Sequence, residues 1–437
     1  MKILHATSGL RGELKVPGDK SISHRAVMFG SIATGDTLIR GFLKSADCIS
    51  TMNCFRAMGI DIEEGTDEKG EYILVHGRGL RGLKKPANPL DCGNSGTTAR
   101  LISGILAGQD FESLLTGDAS LSRRPMKRVI EPLNTLGASL RSENGNGLMP
   151  LIIEKGELHG GSIRTRVASA QVKSAILLSG LYADKETTVI EPALSRNHTE
   201  LMLSAFGADI SAGSSIDPKA SVRPGRELYG IPVIVPGDIS SAAYFIGAAL
   251  IVPGSEVVLR NVGINPTRDG ILRVFKAMGA DIKIENERYE SGERSADLIV
   301  SYSPSLKGVE IGGDIIPALI DELPLIAVVA AVAGGETVIR DAAELKVKES
   351  NRISLTVNNL KAMGADAEER EDGMVIRGGK PLHRASIETA RDHRIAMSFS
   401  VAALVNSDVR PVEIRDPSCV GISFPDFYRD MDRLLEQ

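Results

Sequence analysis

The sequence predicts an α/β protein of two similar lobes, each built from three copies of a unit in which helices and short strands alternate. Three observations predict it. One helix ending recurs five times, a run of small and branched apolar residues recurs six times, and a short strand-like segment follows each run.

The endings are Phe55-Arg-Ala-Met-Gly-Ile, Leu133-Asn-Thr-Leu-Gly-Ala, Leu203-Ser-Ala-Phe-Gly-Ala, Phe275-Lys-Ala-Met-Gly-Ala and Leu360-Lys-Ala-Met-Gly-Ala. Their glycines fall at 59, 137, 207, 279 and 364, between 70 and 85 residues apart. Glycine accepts the left-handed conformation that stops a helix, so each marks a C-terminus. The alternating residues after each, such as Asp61-Ile-Glu, read as a strand.

The apolar runs are Ile22–Ala33, Thr97–Ala107, Gln171–Leu181, Ser241–Ile251, Leu323–Ala333 and His393–Val405, and they read as buried helices. Strand starts follow at Thr37, Glu112, Thr188, Glu256, Thr337 and Val409. Three units fill approximately 18–236 and three fill 237–437. Pro236-Gly237-Asp238 echoes Pro17-Gly18-Asp19 and marks the crossover between lobes. The strand around Gly12–Val16 has no helix of its own, which assigns residues 1–17 to the second lobe. A solenoid would spread its specificity residues along one face, whereas here the unusual polar residues gather at helix starts.

Bulk properties exclude several function classes. A formal charge of -5 over 437 residues, from 51 basic and 56 acidic side chains, disfavours nucleic-acid wrapping. The absence of Trp and an aromatic content of 4% weaken any base-stacking surface. Leu323–Ala333 is too short to cross a membrane, and the N-terminus lacks the layout of a secretion signal. Cys48, Cys54, Cys92 and Cys419 form neither a metal-spaced pair nor a disulfide framework, so a reduced cytoplasmic protein is expected. His24, His198 and His393 have no ligand partners at familiar intervals, and neither metal nor cofactor is expected.

The helix starts carry the chemistry. They are Lys20-Ser-Ile-Ser-His-Arg25, Cys92-Gly-Asn94-Ser95-Gly96-Thr97-Thr98-Ala-Arg100, Ala168-Ser169-Ala170-Gln171-Val-Lys173, Gly237-Asp238-Ile-Ser240-Ser241, Asp321-Glu322-Leu-Pro324 and Arg391-Asp392-His393-Arg394. Free amides and the helix dipole favour an anion at such ends. Ordinary capping by Ser, Asn and Asp competes with that interpretation, but it leaves the adjacent Lys and Arg unexplained. Leu121-Ser-Arg123-Arg124-Pro125-Met-Lys127-Arg128 adds four cations, with a helix expected near Pro125; a solvated charged face is the alternative. Between Glu344 and Arg352, Glu349 lies among Lys346, Lys348 and Arg352, either as a salt-bridged structural group or as a proton-transfer group. One carboxylate of Asp321-Glu322 is expected to cap the following helix or to orient a substrate hydroxyl. Gly93-Asn-Ser-Gly96 fits neither the Walker nor the dinucleotide pattern.

These motifs, with Lys348-Glu349-Ser-Asn-Arg352 and Ser423-Phe-Pro425, together resemble the 5-enolpyruvylshikimate-3-phosphate synthase family of enolpyruvyl transferases over essentially the full length. The resemblance implies a two-lobed, inside-out α/β barrel-like fold of three βαβαββ units per lobe, with substrates in a cleft between lobes that closes on them. It implies a monomer whose partners are shikimate 3-phosphate and phosphoenolpyruvate, with no nucleic acid and no membrane. By the same resemblance Lys20, Asn94, Gly96, Arg124, Gln171, Arg352 and Arg394 would bind phosphoenolpyruvate. Lys20, Ser21, Arg25, Ser169, Ala170, Gln171, Ser195, Asp321 and Lys348 would surround shikimate 3-phosphate. Glu349 would be the acid/base for C3 of phosphoenolpyruvate, with Lys20 and Asp321 on the hydroxyl and leaving-group side.

Departures resemble the divergent second class of the family. Ile422 stands where many members have Lys, Ala170 where Ser is usual, Arg196-Asn197-His198 where Lys-Pro-Tyr is usual, and Asn351 where Asp is common. The aminosugar-using sibling family typically carries a reactive Cys where this chain has Ala119, and Asn where it has Ser21. A non-catalytic anion-binding scaffold would require the cationic helix starts to be accidental.

Overall fold

The five helix-ending glycines adopt positive φ, from +84° at Gly364 to +100° at Gly207, a region that a Cβ disfavours. Each therefore ends a helix and turns the chain into a strand. The computed structural model describes residues 2–4, 8–408 and 411–436.

The chain opens with β1 (Lys2–Leu4) and β2 (Arg11–Leu14). The first repeat runs α1 (Lys20–Ile32), β3 (Thr34–Arg40), α2 (Ala46–Ala57), β4 (Asp61–Asp67) and β5 (Gly70–Arg78). The second is β6 (Leu90–Asp91), α3 (Gly96–Leu106), β7 (Ser113–Thr116), α4 (Lys127–Thr135), β8 (Ser139–Ser142) and β9 (Leu151–Glu154). The third is β10 (Ser162–Arg164), α5 (Ala170–Gly180), β11 (Thr187–Ile190), α6 (His198–Ala205), β12 (Asp209–Ser211) and β13 (Lys219–Arg223), followed by β14 (Val233–Ile234). The fourth comprises α7 (Ile239–Ile251), β15 (Glu256–Gly263), α8 (Gly270–Ala277), β16 (Asp281–Glu290) and β17 (Glu293–Ser301). The fifth is β18 (Glu310–Ile311), α9 (Leu323–Val332), β19 (Glu336–Ile339), α10 (Arg352–Ala362), β20 (Asp366–Arg370) and β21 (Gly373–Arg377). The last holds β22 (Ser386–Ile387), α11 (His393–Ala403), β23 (Val412–Ile414) and α12 (Phe427–Leu435).

One sheet topology repeats. In β6-β7-β9-β8 the first pair is parallel, joined across a helix, and the remaining pairs are antiparallel. The orders β10-β11-β13-β12 and β18-β19-β21-β20 copy it. Two repeats lack a leading strand of their own and receive it from elsewhere in the chain: β14 joins β3, and β2 joins β15. The sixth repeat differs from expectation. Among the described residues it has no hairpin of its own, and β1 pairs antiparallel with β23 instead. Val409 and Arg410, the expected start of its strand, lie outside the described residues.

Two compact units result. The first comprises 18–236 with 289–293, and the second the described parts of 1–17, 237–288 and 294–437. Each has its own hydrophobic core. In the first, α1, α3 and α5 are almost entirely buried beneath sheets; α7, α9 and α11 are the buried helices of the second. Their all-round apolar sequences fit this position, since no face meets water. Gly104 marks the closest approach: a Cβ there would stand 2.2 Å from the Ala175 carbonyl oxygen, so α3 reaches α5 only through glycine. The helix expected near Pro125 begins at Lys127, after a short turn at Leu121–Arg123. Arg124 precedes proline and is accordingly extended, which delays the helix. No helix among the described residues is long and apolar enough to cross a membrane.

Candidate active site

In the first unit, side chains tie the helix starts together. Asp19 caps α1 by accepting from the Ile22 amide at 2.9 Å, and Lys20 pairs with Asp47 on the first turn of α2. His24, Thr51, Thr98 and Ser95 form a buried chain with successive contacts of 2.7 Å, joining α1, α2 and α3. Burial pulls the His24 pKa down to about 3, so its ring is neutral.

The glycine-containing loop before α3 places Asn94 against Arg124. Its side-chain carbonyl accepts from Arg124 at 2.7 Å, and its amide donates to Asp118 at 2.8 Å. A methyl group on Gly96 would lie 2.9 Å from Arg100 Nη1 and 3.5 Å from Arg124 Nη1, so the two guanidinium groups flank this position. Gln171, on the first turn of α5, accepts from Arg100 and donates to Thr97 Oγ1 at 2.9 Å. The bonded pairs Asn94–Arg124 and Gln171–Arg100 thus stand to either side of Gly96.

Arg25 takes a different position. It is 3% exposed and donates to the Ser21 carbonyl (3.0 Å), Ser174 (2.8 Å) and Thr199 (2.7 Å). Burial lowers its pKa to about 10, leaving it charged at neutral pH. Ser169 occupies the N-cap of α5 yet makes no capping bond, and Ala170 follows as the first helical residue. Ser169 and Ser195 are linked through Glu191, which accepts from the Ser169 amide at 3.0 Å and from the Ser195 hydroxyl at 2.8 Å.

The second unit gathers the remaining candidates. Arg352, 1% exposed, is held by three carboxylates: Asp392 at 2.8 Å, Asp321 at 3.2 Å and Glu349 at 2.5 Å. Burial acts to lower its pKa, but Glu349, Asp392 and Asp321 outweigh it and the net shift is upward. Lys348 lies 3.5 Å from Asp321 and 3.6 Å from Glu344. Arg394 donates to Glu322 at 3.3 Å and lies 3.9 Å from Asp321 Oδ2. Contrary to expectation, the carboxylate at the N-cap of α9, that of Glu322, makes no capping hydrogen bond. It accepts instead from Ser240 and Arg394, stronger partners that cross to α7 and α11. Asp392 does cap α11, accepting from the Arg394 amide at 2.9 Å.

The residues 4–431 match the family model for EPSP synthase (3-phosphoshikimate 1-carboxyvinyltransferase). The chain belongs to the EPSP synthase family. A 3-phosphoshikimate 1-carboxyvinyltransferase of Geobacter metallireducens is 51% identical over 426 residues, covering 98% of this chain and 97% of its own. Its counterpart in Thermoanaerobacter sp. is 54% identical, with 97% and 98% covered. The solved EPSP synthase of Acinetobacter baumannii superposes with a TM-score of 0.88 at 46% identity, covering 99% of this chain and 97% of that one. This likeness extends to the two-lobed α/β architecture with repeated βαβαββ units.

Sequence reasoning in terms of the EPSP synthase pattern gave no role to Arg100, Lys173, Glu191, Glu200 or Arg268. Lys173 interrupts an apolar run, and that interruption was the available signal. Arg268 donates to Ser240 at 2.7 Å and to Asp238 at 3.2 Å, bracing the start of α7. One ligand atom from each of Asp61, Glu63 and His76 also falls within 4.8 Å of the others, in the β4–β5 hairpin. His76 there already pairs with Asp36 at 2.7 Å.

Proposed function

We propose a division of labour for the reaction of this family, the transfer of the enolpyruvyl group of phosphoenolpyruvate to the 5-hydroxyl of shikimate 3-phosphate. The observation that carries it is that motif cations in both units are paired with carboxylates or amides that an anionic substrate can displace. Such preorganised cations stabilise developing charge without reorganising at the moment of reaction.

Lys20 and Arg124, with Asn94, Gly96 and Gln171, serve phosphoenolpyruvate from the first unit; Arg352 and Arg394 serve its carboxylate from the second. Arg352 has Glu349 on Nη2 before substrate arrives. A substrate carboxylate competing for that nitrogen releases Glu349 as it binds, coupling binding to the appearance of an acid/base group. Ser169 and Ser195 take the 3-phosphate, Ala170 and Gln171 line the same helix start, and Ser21 and Arg25 border the same substrate. Asp321 holds ring hydroxyls, with Lys348 beside it. The residues divide these tasks inside a cytoplasmic, monomeric enzyme.

Chemistry then runs in two steps. In addition, the 5-oxygen bonds to C2, its proton passes to the Lys20 or Asp321 side, and Glu349 delivers a proton to C3. In elimination, Glu349 takes a proton from C3, the double bond returns and the C2–O bond to phosphate breaks. Phosphate leaves, and the enolpyruvyl ether remains.

Steady-state phosphate release from the two substrates tests the activity, and Glu349→Gln tests the assignment. The variant is expected to fold and bind both substrates while kcat falls by about two to four orders of magnitude, the span of general acid–base contributions. An unchanged kcat removes Glu349 from proton transfer.

A further inference from the structure

Beneath the two serines assigned to the 3-phosphate lies a buried ion cluster that the transfer chemistry does not use. Lys173, on the first turn of α5, places its ammonium 3.1 Å from Glu191 Oε2, 2.8 Å from Glu200 Oε1 and 3.2 Å from the Ser195 carbonyl oxygen. All three charged side chains are at most 2% exposed. A buried ion cluster carries a heavy desolvation cost and is weak evidence for stabilisation, so its partners merit a functional account.

Glu191 is the centre of the cluster. One carboxylate oxygen accepts from the Ser169 amide at 3.0 Å. The other accepts from the Ser195 amide at 3.3 Å and from the Ser195 hydroxyl at 2.8 Å. A single carboxylate thus fastens the N-cap of α5 to the turn that leads into α6. It also takes the one proton that the Ser195 hydroxyl can donate. A phosphate dianion offers only acceptor oxygens, so Ser195 must turn its hydroxyl away from Glu191 in order to hold phosphate. Lys173 and the Ser195 amide remain on Oε2 when it does. The Ser169 side chain has no capping bond to give up.

We propose that Glu191, anchored by Lys173, is a positioning residue for the phosphorylated substrate. It holds Ser169 and Ser195 in register in the free enzyme and passes the Ser195 hydroxyl to the 3-phosphate on binding. This rests on the assignment of those serines to the phosphate. The consequence is selectivity: a ring hydroxyl in place of the phosphate is a weaker acceptor than a lysine-paired carboxylate, so it leaves Ser195 on Glu191. Unphosphorylated shikimate therefore gains nothing from the arrangement.

Calorimetric titration of the full chain with shikimate 3-phosphate and with shikimate tests this. Glu191→Asp keeps the charge and withdraws the carboxylate from one of the two segments; Glu191→Gln sets an amide N–H against backbone donors. Each is expected to weaken shikimate 3-phosphate about ten-fold, the size of a hydrogen bond to a charged group, while shikimate binding and the KM of phosphoenolpyruvate change less than about two-fold. In a Ser195→Ala background the effect of Glu191→Asp should shrink to about three-fold or less, because Glu191 acts partly through that hydroxyl. Should Glu191→Gln not fold, Glu191→Asp carries the test. If Ser169→Ala and Ser195→Ala both leave shikimate 3-phosphate binding unchanged, the phosphate assignment itself fails. If they weaken it while Glu191→Asp does not, or if Glu191→Asp weakens both ligands equally, the serine assignment stands and the positioning role of Glu191 is overturned.

Discussion

Arg352 and Arg124 are both arginines proposed to bind phosphoenolpyruvate, yet their surroundings differ in kind. Arg352 is sealed among Asp321, Glu349 and Asp392, whereas Arg124 donates to the neutral Asn94 and Ser120. An incoming anion therefore displaces no carboxylate from these bonds at Arg124 and must displace one at Arg352. Arg124→Ala should raise the KM of phosphoenolpyruvate by one to two orders of magnitude, in line with a lost charge-assisted pair, and leave that of shikimate 3-phosphate within about three-fold. Steady-state kinetics with each substrate varied in turn checks this, and an equal loss for both would remove the assignment. The identities of these residues were legible from their motifs. Their partners were not, because Asp392 lies 40 residues from Arg352 and Asp118 lies 24 from Asn94. Glu191 was illegible for the same reason, and Lys173, although it interrupts an apolar run, gave no sign of its partners Glu191 and Glu200.

At the scale of the element, the repeats were legible because two local constraints write them into the sequence. A helix that ends on a left-handed residue needs glycine, and a helix enclosed on all sides excludes polar residues except where another helix offers a partner. The borrowed strands β2 and β14 carry a weaker signal, since a two- to four-residue segment says little about its partner. The same holds for β1, whose pairing with β23 closes the sixth repeat in place of a hairpin. Gly104 tests the packing of the buried helices. Gly104→Ala should destabilise the chain by about 1–3 kcal/mol, the usual cost of overpacking, although alanine is the better helix former. Urea denaturation provides the measurement, and a stabilised variant would show that α3 and α5 move apart at no cost.

For the whole molecule, acid sensitivity follows from two buried histidines at helix starts, His24 on α1 and His393 on α11. Burial draws His24 from its ordinary 6.5 to about 3 and His393 from 6.5 to about 4. Both are neutral when folded and take up protons once unfolded, so stability is complete above pH 6.5 and declines as the pH falls towards 4. The expected slope is ~1.4 kcal/mol per pH unit for each histidine. His24→Gln should remove one proton from that uptake, which denaturation midpoints between pH 4.5 and 7 will report. A slope equal to that of the native chain would place the acid sensitivity elsewhere.

The strand β2 has a consequence for synthesis. Leu10, which leads into β2, donates to Ser255 across a separation of 245 residues, and β2 pairs with Glu256–Leu259 of β15. A ribosome therefore releases β2 long before its partner, which follows only after 18–236 has emerged, a stretch with three sheets of its own, one of them completed by β14 at Val233 and Ile234. Throughout that interval the nascent chain presents an unpaired edge of β-forming backbone, the kind of template on which neighbouring chains associate. Production of this protein is thus most vulnerable before residue 256 leaves the ribosome, and slowing translation upstream of that point lengthens the exposure.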